Sequence, residues 1–267
     1  MAFYTCNELM AAATARELRD GELGFIGVGT DGRAYTLAVG IPMVAARLAQ
    51  MSHAPNFSIF WNNLLSPKLD EIPPYLTQDY LTKWPCAFQP VTCEDKNEML
   101  ASGRFDVSFD SAPQIDRFGN LNITAIGEDY KKPKVRLVGC LAQPDHFAFV
   151  KRPIIITDLK KRTFVEKVDF ITSVGYLEGG DSRVQAGLKP YGPWKVITDK
   201  CILNFDNENK EMQLESLHPG ITLEEVLDNM GFRPLIPDTI KTTEEPTEEQ
   251  VKVIRETIDP NHSLLRA

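Results

Sequence analysis

Ala112-Pro113-Gln114-Ile115-Asp116-Arg117-Phe118-Gly119-Asn120-Leu121-Asn122 is the stretch on which the reading of this chain turns. Gly119-Asn120 reads as a turn between two strands, and Asn side chains there suit the backbone groups that a tight turn leaves open. Just before it, Asp110, Ser111 and Gln114 put a polar load where open α/β sheets form their clefts. Immediately upstream, residues 105–109 alternate apolar and polar and predict a strand. A helix is expected over 92–102, with Asp95 three residues after Thr92 as a weaker capping box and Gly103 at its end.

The same rhythm extends in both directions. Thr5 with Glu8 forms a capping box that opens a helix reaching about Arg19, where Asp20-Gly21 stops it. Residues 23–28 predict a buried strand. Gly40 is expected to turn the chain, Pro42 to start a helix over 43–50, and residues 57–61 to form the next strand. Downstream, strand-like runs follow closely: 121–126, 135–138, 146–150, 154–157, 170–174, 195–198, 202–205 and 212–217. Thr222 with Glu225 opens a helix ending at Gly231, and residues 247–258 form a last helix stopped by Asp259-Pro260. Alternating elements in front and strands behind predict an α/β fold with an open mixed β-sheet flanked by helices over residues 1–233. Residues 234–267 are expected to form a linker and a C-terminal helical arm.

Composition narrows the function classes. The 267 residues carry 29 basic and 37 acidic side chains, a formal charge of −8, and 43% are hydrophobic, which is ordinary for a folded chain. The acidic balance argues against a nucleic-acid partner, which needs clustered Lys and Arg. The densest basic clusters, Lys131-Lys132-Lys134-Arg136 and Lys160-Lys161-Arg162, are short; they suit solvated strand ends or an anion or partner contact. No apolar run is long enough to cross a membrane, and no secretory leader is read at the N-terminus. Five scattered cysteines then suit reduced thiols in a cytoplasmic protein.

Other motifs give little. Gly27-Val28-Gly29-Thr30-Asp31-Gly32 matches G-x-G-x-x-G after a strand, but no acid occurs between Asp31 and Asp70 and an extended segment over 34–39 is expected next. A flexible, cleft-lining turn is the better reading. Cys86 and Cys93 are spaced too widely for a usual zinc pair, the four histidines do not cluster, and no metal site is expected. No G-x-S-x-G pentapeptide occurs.

Taken together, Gly40-Ile41-Pro42, His53-Ala54-Pro55-Asn56 and the 112–122 stretch resemble the β subunits of family I CoA-transferases, the glutaconate type among them. The segments 198–205, Leu217-His218-Pro219-Gly220 and Ile258-Asp259-Pro260 extend the likeness over nearly the whole chain. The resemblance implies an acyl-CoA substrate, an α subunit as partner, an active site between the two subunits, and no permanently bound cofactor beyond the coenzyme A of the substrate. It also implies a β-subunit glutamate, in a Glu-Ser-Gly or Glu-Asn-Gly motif, that attacks the thioester.

Here the chain departs from that pattern. Setting Ala54-Pro55-Asn56 on the family motif puts Asn62 of Trp61-Asn62-Asn63-Leu64 where the glutamate belongs. A carboxamide is uncharged and a poor nucleophile, yet it can hydrogen-bond a substrate oxygen. Gly139-Cys140-Leu141 likewise replaces the family's Gly-Gly loop. A branch of the superfamily that hydrolytically opens rings of cyclic oxo-acyl-CoA compounds also lacks the β-subunit glutamate. The expectation is therefore a hydrolytic acyl-CoA enzyme with Asn62 as the catalytic amide, and Trp61, Asn63, Gln114 and Asn120 lining the substrate. CoA transfer with a carboxylate from elsewhere, and a catalytically silent subunit, are the alternatives. Glu71, Glu128 and Asp129 are the local acids available as substitutes, but each reads better as a solvated loop charge.

Overall fold

The computed structural model describes residues 3–29, 31–73, 83–90 and 93–266. The chain gathers into two units, Met1–Phe109 with Glu244–Ala267, and Asp110–Thr243. The segment expected to be a linker and arm, 234–267, contributes to both units.

The first unit begins with α1 (Cys6–Arg16), whose capping box forms as expected: Glu8 N–H donates to Thr5 Oγ1 at 3.3 Å and Thr5 N–H to Glu8 Oε2 at 2.6 Å. β1 (Leu23–Ile26) follows. The segment expected to be extended is helical: α2 (Gly32–Tyr35) passes through a π-helical turn at Thr36–Gly40 directly into α3 (Ile41–Gln50). β-branched Thr36 and Val39 favour a strand locally. Burial of Leu37, Ile41, Val44 and Leu48 along one helical stretch outweighs that preference. Gly40 makes no turn. Its φ is helical at −61°, and a Cβ there would lie 2.0 Å from the Leu264 carbonyl oxygen, so glycine is required by close packing.

β2 (Ser58–Trp61), β3 (Leu64–Pro67), β4 (Cys86–Phe88), α4 (Cys93–Ala101) and β5 (Val107–Asp110) complete this part. The expected cap of α4 at Thr92 lies outside the described residues. β5, β1 and β2 run parallel, and β3 and β4 add antiparallel, giving the order β5-β1-β2-β3-β4. Phe25, Phe60 and Phe105 pack ring against ring at 5.2 to 5.8 Å beneath it.

In the second unit, the 112–122 stretch forms the hairpin read from the sequence, β6 (Gln114–Ile115) against β7 (Leu121–Asn122). A second small hairpin pairs β8 (Ala125–Ile126) with β9 (Val135–Arg136). The strand expected at 146–150 is helical: α5 (Gln143–Phe149) has a proline in its first turn, Pro144, which favours a helix start. Next come β10 (Arg152–Ile156), α6 (Ser182–Gln185), β11 (Lys195–Ile197), β12 (Cys201–Asn204), β13 (Gln213–Leu217), α7 (Leu223–Asp228) and β14 (Lys241–Thr242). β10 to β14 lie in chain order in a mixed sheet. Residues 170–174 form only an isolated pairing of Ser173 with Leu121. Ile115, Leu121, Phe147, Ile155, Phe164, Leu203 and Leu214 build the core. Within this unit the Arg183 guanidinium is buried and donates to the carbonyls of Phe147, Val174, Gly175 and Lys189.

The chain then returns to the first unit. α8 (Glu248–Val253) starts with a Thr247–Gln250 capping box and widens into a π-helical turn at Ile254–Ile258. This segment is no free arm. Arg16 donates to the carbonyls of Glu244 and Glu245 at 2.7 and 2.9 Å, and Arg255 grips Glu8 at 2.6 and 2.8 Å. Both units are open mixed sheets flanked by helices, the α/β class expected.

Candidate functional site

In an α/β sheet the ends of parallel strands leave room for ligands, so the carboxyl ends of β1 and β2 are the place to look. β1 leads into Gly27-Val28-Gly29 and β2 ends at Trp61. Antiparallel pairing of Trp61 with Leu64 makes Asn62-Asn63 a two-residue hairpin turn. Both residues have positive φ, 46° and 64°, the pattern of a type I′ turn, and Asn accepts it more readily than most residues. The Trp61 indole N–H donates to the Gly27 carbonyl at 3.1 Å and ties this turn to the glycine loop. Trp61 itself is buried edge-on against Trp84, with ring centroids 6.1 Å apart, which helps hold the turn in place.

Asn62 and Asn63 are half-buried, and their side-chain amides make no hydrogen bond among the described residues. Pairing of Ile26 with Trp61 brings the glycine loop alongside them, and that loop leaves Val28 60% exposed. The helical stretch 32–50 opens at Gly32, the third glycine of the loop. Two free carboxamides next to a glycine loop can donate to, or accept from, a substrate oxygen without adding charge.

Gln114 and Asn120 belong to the second unit and behave differently. The Asn120 amide donates to both Asp116 carboxylate oxygens at 3.1 and 2.9 Å and to the Leu177 carbonyl, while its oxygen accepts from the Gly175 and Leu177 N–H groups. Gln114 donates to Asp169 and accepts from Asn122 and the Asp169 N–H. Both residues are buried. In this structure the hydrogen-bonding groups of both residues are engaged within the hairpin and the segments packed on it. Asp116, at the centre of that network, is pushed up by burial, although hydrogen bonds from Asn120 and Phe118 oppose the shift.

The expected substitute acids offer little. Glu71 is exposed and pairs with Lys68 at 3.1 Å, and Glu128 and Asp129 lie on the β8–β9 hairpin, with Asp129 exposed. What the sequence did not reveal is the buried pair of His146 Nδ1 with Asp110 Oδ1 at 2.9 Å. Asp110 stood out as part of the polar load. Its partner lies 36 positions on, in a segment with strand-like character, so no local signal joined them. His53, from the His-Ala-Pro-Asn motif, bonds the Leu18 carbonyl, and Asn56 bonds Asp20; the motif anchors the entry to β2.

Among the described residues, no group of three or more His, Cys, Asp or Glu is placed to hold a metal, and no helix is long and apolar enough to cross a membrane. Among the described residues Cys6, Cys86, Cys140 and Cys201 form no disulfide, and burial pushes Cys201 up to about 12.

Comparison with known proteins places the chain in one family. The chain is 38% identical to the β subunit of 3-oxoadipate CoA-transferase from Pseudomonas knackmussii over 256 residues, covering 96% of this chain and 94% of that one. The crystal structure of glutaconate coenzyme A-transferase from Acidaminococcus fermentans superposes with a TM-score of 0.83 at 30% identity, covering 99% of this chain and 98% of the other. The cholesterol ring-cleaving hydrolase IpdB subunit of Rhodococcus jostii is 27% identical over 227 residues, 82% of each chain. The coenzyme A transferase family model matches residues 7–229, and the chain belongs to that family as a β-type subunit.

Proposed function

We propose that this chain is the β subunit of a heteromeric enzyme that acts on an acyl-CoA thioester without forming a glutamyl thioester on this chain. The observation that carries the reading is Asn62: the position that the family resemblance gives to the nucleophile holds a neutral amide, fixed in a type I′ turn at the end of β2. A carboxamide cannot form the covalent intermediate of ping-pong transfer, but it can stabilise an oxygen that gains charge. The reaction that suits such a site is hydrolytic C–C cleavage of a cyclic oxo-acyl-CoA. A partner-subunit carboxylate takes a proton from water, the water oxygen adds to a ring carbonyl, and the Asn62 N–H groups bond the oxygen that becomes negative. Collapse of that adduct breaks the ring C–C bond; its electron pair stays on the departing carbon, which takes the proton back from the partner carboxyl, and the new acid ionises to a carboxylate, with the thioester intact. The hydrolase subunit among the relatives supports this reading.

Genuine CoA transfer is the second reading, favoured by the 38% identity to a CoA-transferase β subunit. It requires the attacking carboxylate to come from the partner. Turnover of the reconstituted heteromer in ¹⁸O-water separates the two. Hydrolysis predicts product formation without an acceptor acid and one ¹⁸O in the new carboxylate. Strict dependence on an acceptor acid, with no label gained from water, would establish transfer.

A further inference from the structure

Half of the large apolar side chains that lie exposed among the described residues sit in one part of the second unit: Tyr130, Val135, Val138, Leu141, Phe170 and Ile171. Val138 and Leu141 are 82% and 84% exposed. These residues share one hydrogen-bonded layer. β9 pairs with β8, the Gly139 N–H donates to the Ile123 carbonyl, and the Ile123 N–H donates to Thr172 Oγ1. Tyr130 stacks on Phe170 at 5.4 Å, and the Arg136 guanidinium lies 4.6 Å over the Tyr130 ring. The aromatic part of the layer is therefore ordered by its own contacts. Apolar side chains gathered in this way mark an interaction surface.

The charge around them says what kind. Lys131, Lys132, Lys134 and Arg136 are exposed at this hairpin beside the exposed Glu128 and Asp129, a local excess of positive charge on a chain whose net charge is −8. A second copy docking through a two-fold axis would bring the same patch against itself, basic hairpin towards basic hairpin, which like-charge repulsion opposes. A different chain with an acidic rim around an apolar centre fits. We infer that the layer of residues 123–141 and 170–173 is the docking surface for the α subunit, met there by an apolar patch rimmed with Asp and Glu. This inference rests on the heteromer reading above.

The test uses the co-expressed heteromer and the Val138→Asp/Leu141→Asp double variant of this chain. Both sites are so exposed that the isolated variant should keep the wild-type circular dichroism and thermal midpoint. Affinity for the α subunit should fall about 100-fold or more, since buried anchor residues dominate interface energy. The gentler Val138→Ser/Leu141→Ser pair serves if the Asp variant fails to fold, and should weaken binding in the same direction. Lys131→Glu/Lys134→Glu should slow association and flatten its salt dependence. Wild-type affinity in both folded patch variants overturns the surface while leaving the heteromer reading intact. Failure of the wild-type chains to associate at all overturns both. Patch-dependent binding to anionic vesicles, with α-subunit affinity unchanged in the variants, assigns the layer to a membrane surface and also overturns it.

Discussion

At the scale of single residues, the difference between Asn62 and Asn120 is one of spare hydrogen-bonding capacity. Asn62 sits in a turn that needs positive φ, with its amide free of partners among the described residues. Asn62→Gly keeps the backbone conformation and deletes the amide. Turnover should fall about 10²-fold, the scale of losing one oxyanion donor, with the thermal midpoint little changed. Steady-state kinetics on the heteromer checks this, and near-normal kcat would make Asn62 a turn residue only. Asn120→Ala should do the reverse. It strands the buried Asp116 carboxylate and the Gly175 and Leu177 N–H groups, at a cost of about 2–4 kcal/mol. Denaturant unfolding measures the loss. Asn62 stands out in the sequence because a motif reads locally. For Asn120 the turn is legible but its further partners are not, because the Gly175 and Leu177 N–H groups lie 55 and 57 positions away.

At the scale of elements, what the sequence makes legible is what is encoded within a few residues. Among the described residues, threonine-based capping boxes at Thr5, Thr222 and Thr247 open helices in the structure. The third is the hardest to see in the sequence, since it uses Gln250 in place of a glutamate. Three runs suggest strands that do not form, residues 170–174 among them, which keep only the isolated pairing of Ser173 with Leu121. His146 to Val150 shows no polar alternation to separate helix from strand, and the residues after Gly32 carry β-branched side chains in a helix that tertiary burial selects. The last helix and its tail look like an arm in the sequence because nothing local announces Arg255 on Glu8 or Leu264 on Gly40. Gly40→Ala tests that packing. The new Cβ collides with the Leu264 backbone, and the tail must move, so stability should fall by about 1–3 kcal/mol with increased hydrogen exchange at 258–266. A second test uses pH. Burial pushes the Glu8 carboxyl up, but hydrogen bonds from Arg255 and Thr5 outweigh it and hold the group below its ordinary value. A lowered folded value means stability that is fully present above the unfolded carboxylate value of about 4.3 and is lost as pH falls through the folded one. Thermal midpoints from pH 6 to pH 3 should therefore fall less steeply in Glu8→Gln than in the wild type; an identical slope would exclude this ion pair from the acid response.

For the whole molecule, the central claim is that an α/β subunit of the CoA-transferase family carries, in the turn at the end of β2, an amide where the resemblance expects a nucleophile. The fold class is legible because strand and helix signals alternate along the chain. The division into Met1–Phe109 with Glu244–Ala267, and Asp110–Thr243, is not, because it depends on contacts between segments more than 200 residues apart. The most direct measurement is covalent trapping on the intact heteromer. The complex is incubated with acyl-CoA and treated with borohydride, and the intact mass of each chain is then recorded. The predicted result is an unmodified β chain, with turnover intact before reduction. A β chain whose mass reports a glutamate reduced to its alcohol would contradict the account, because it would place the thioester, and the nucleophile, on this subunit.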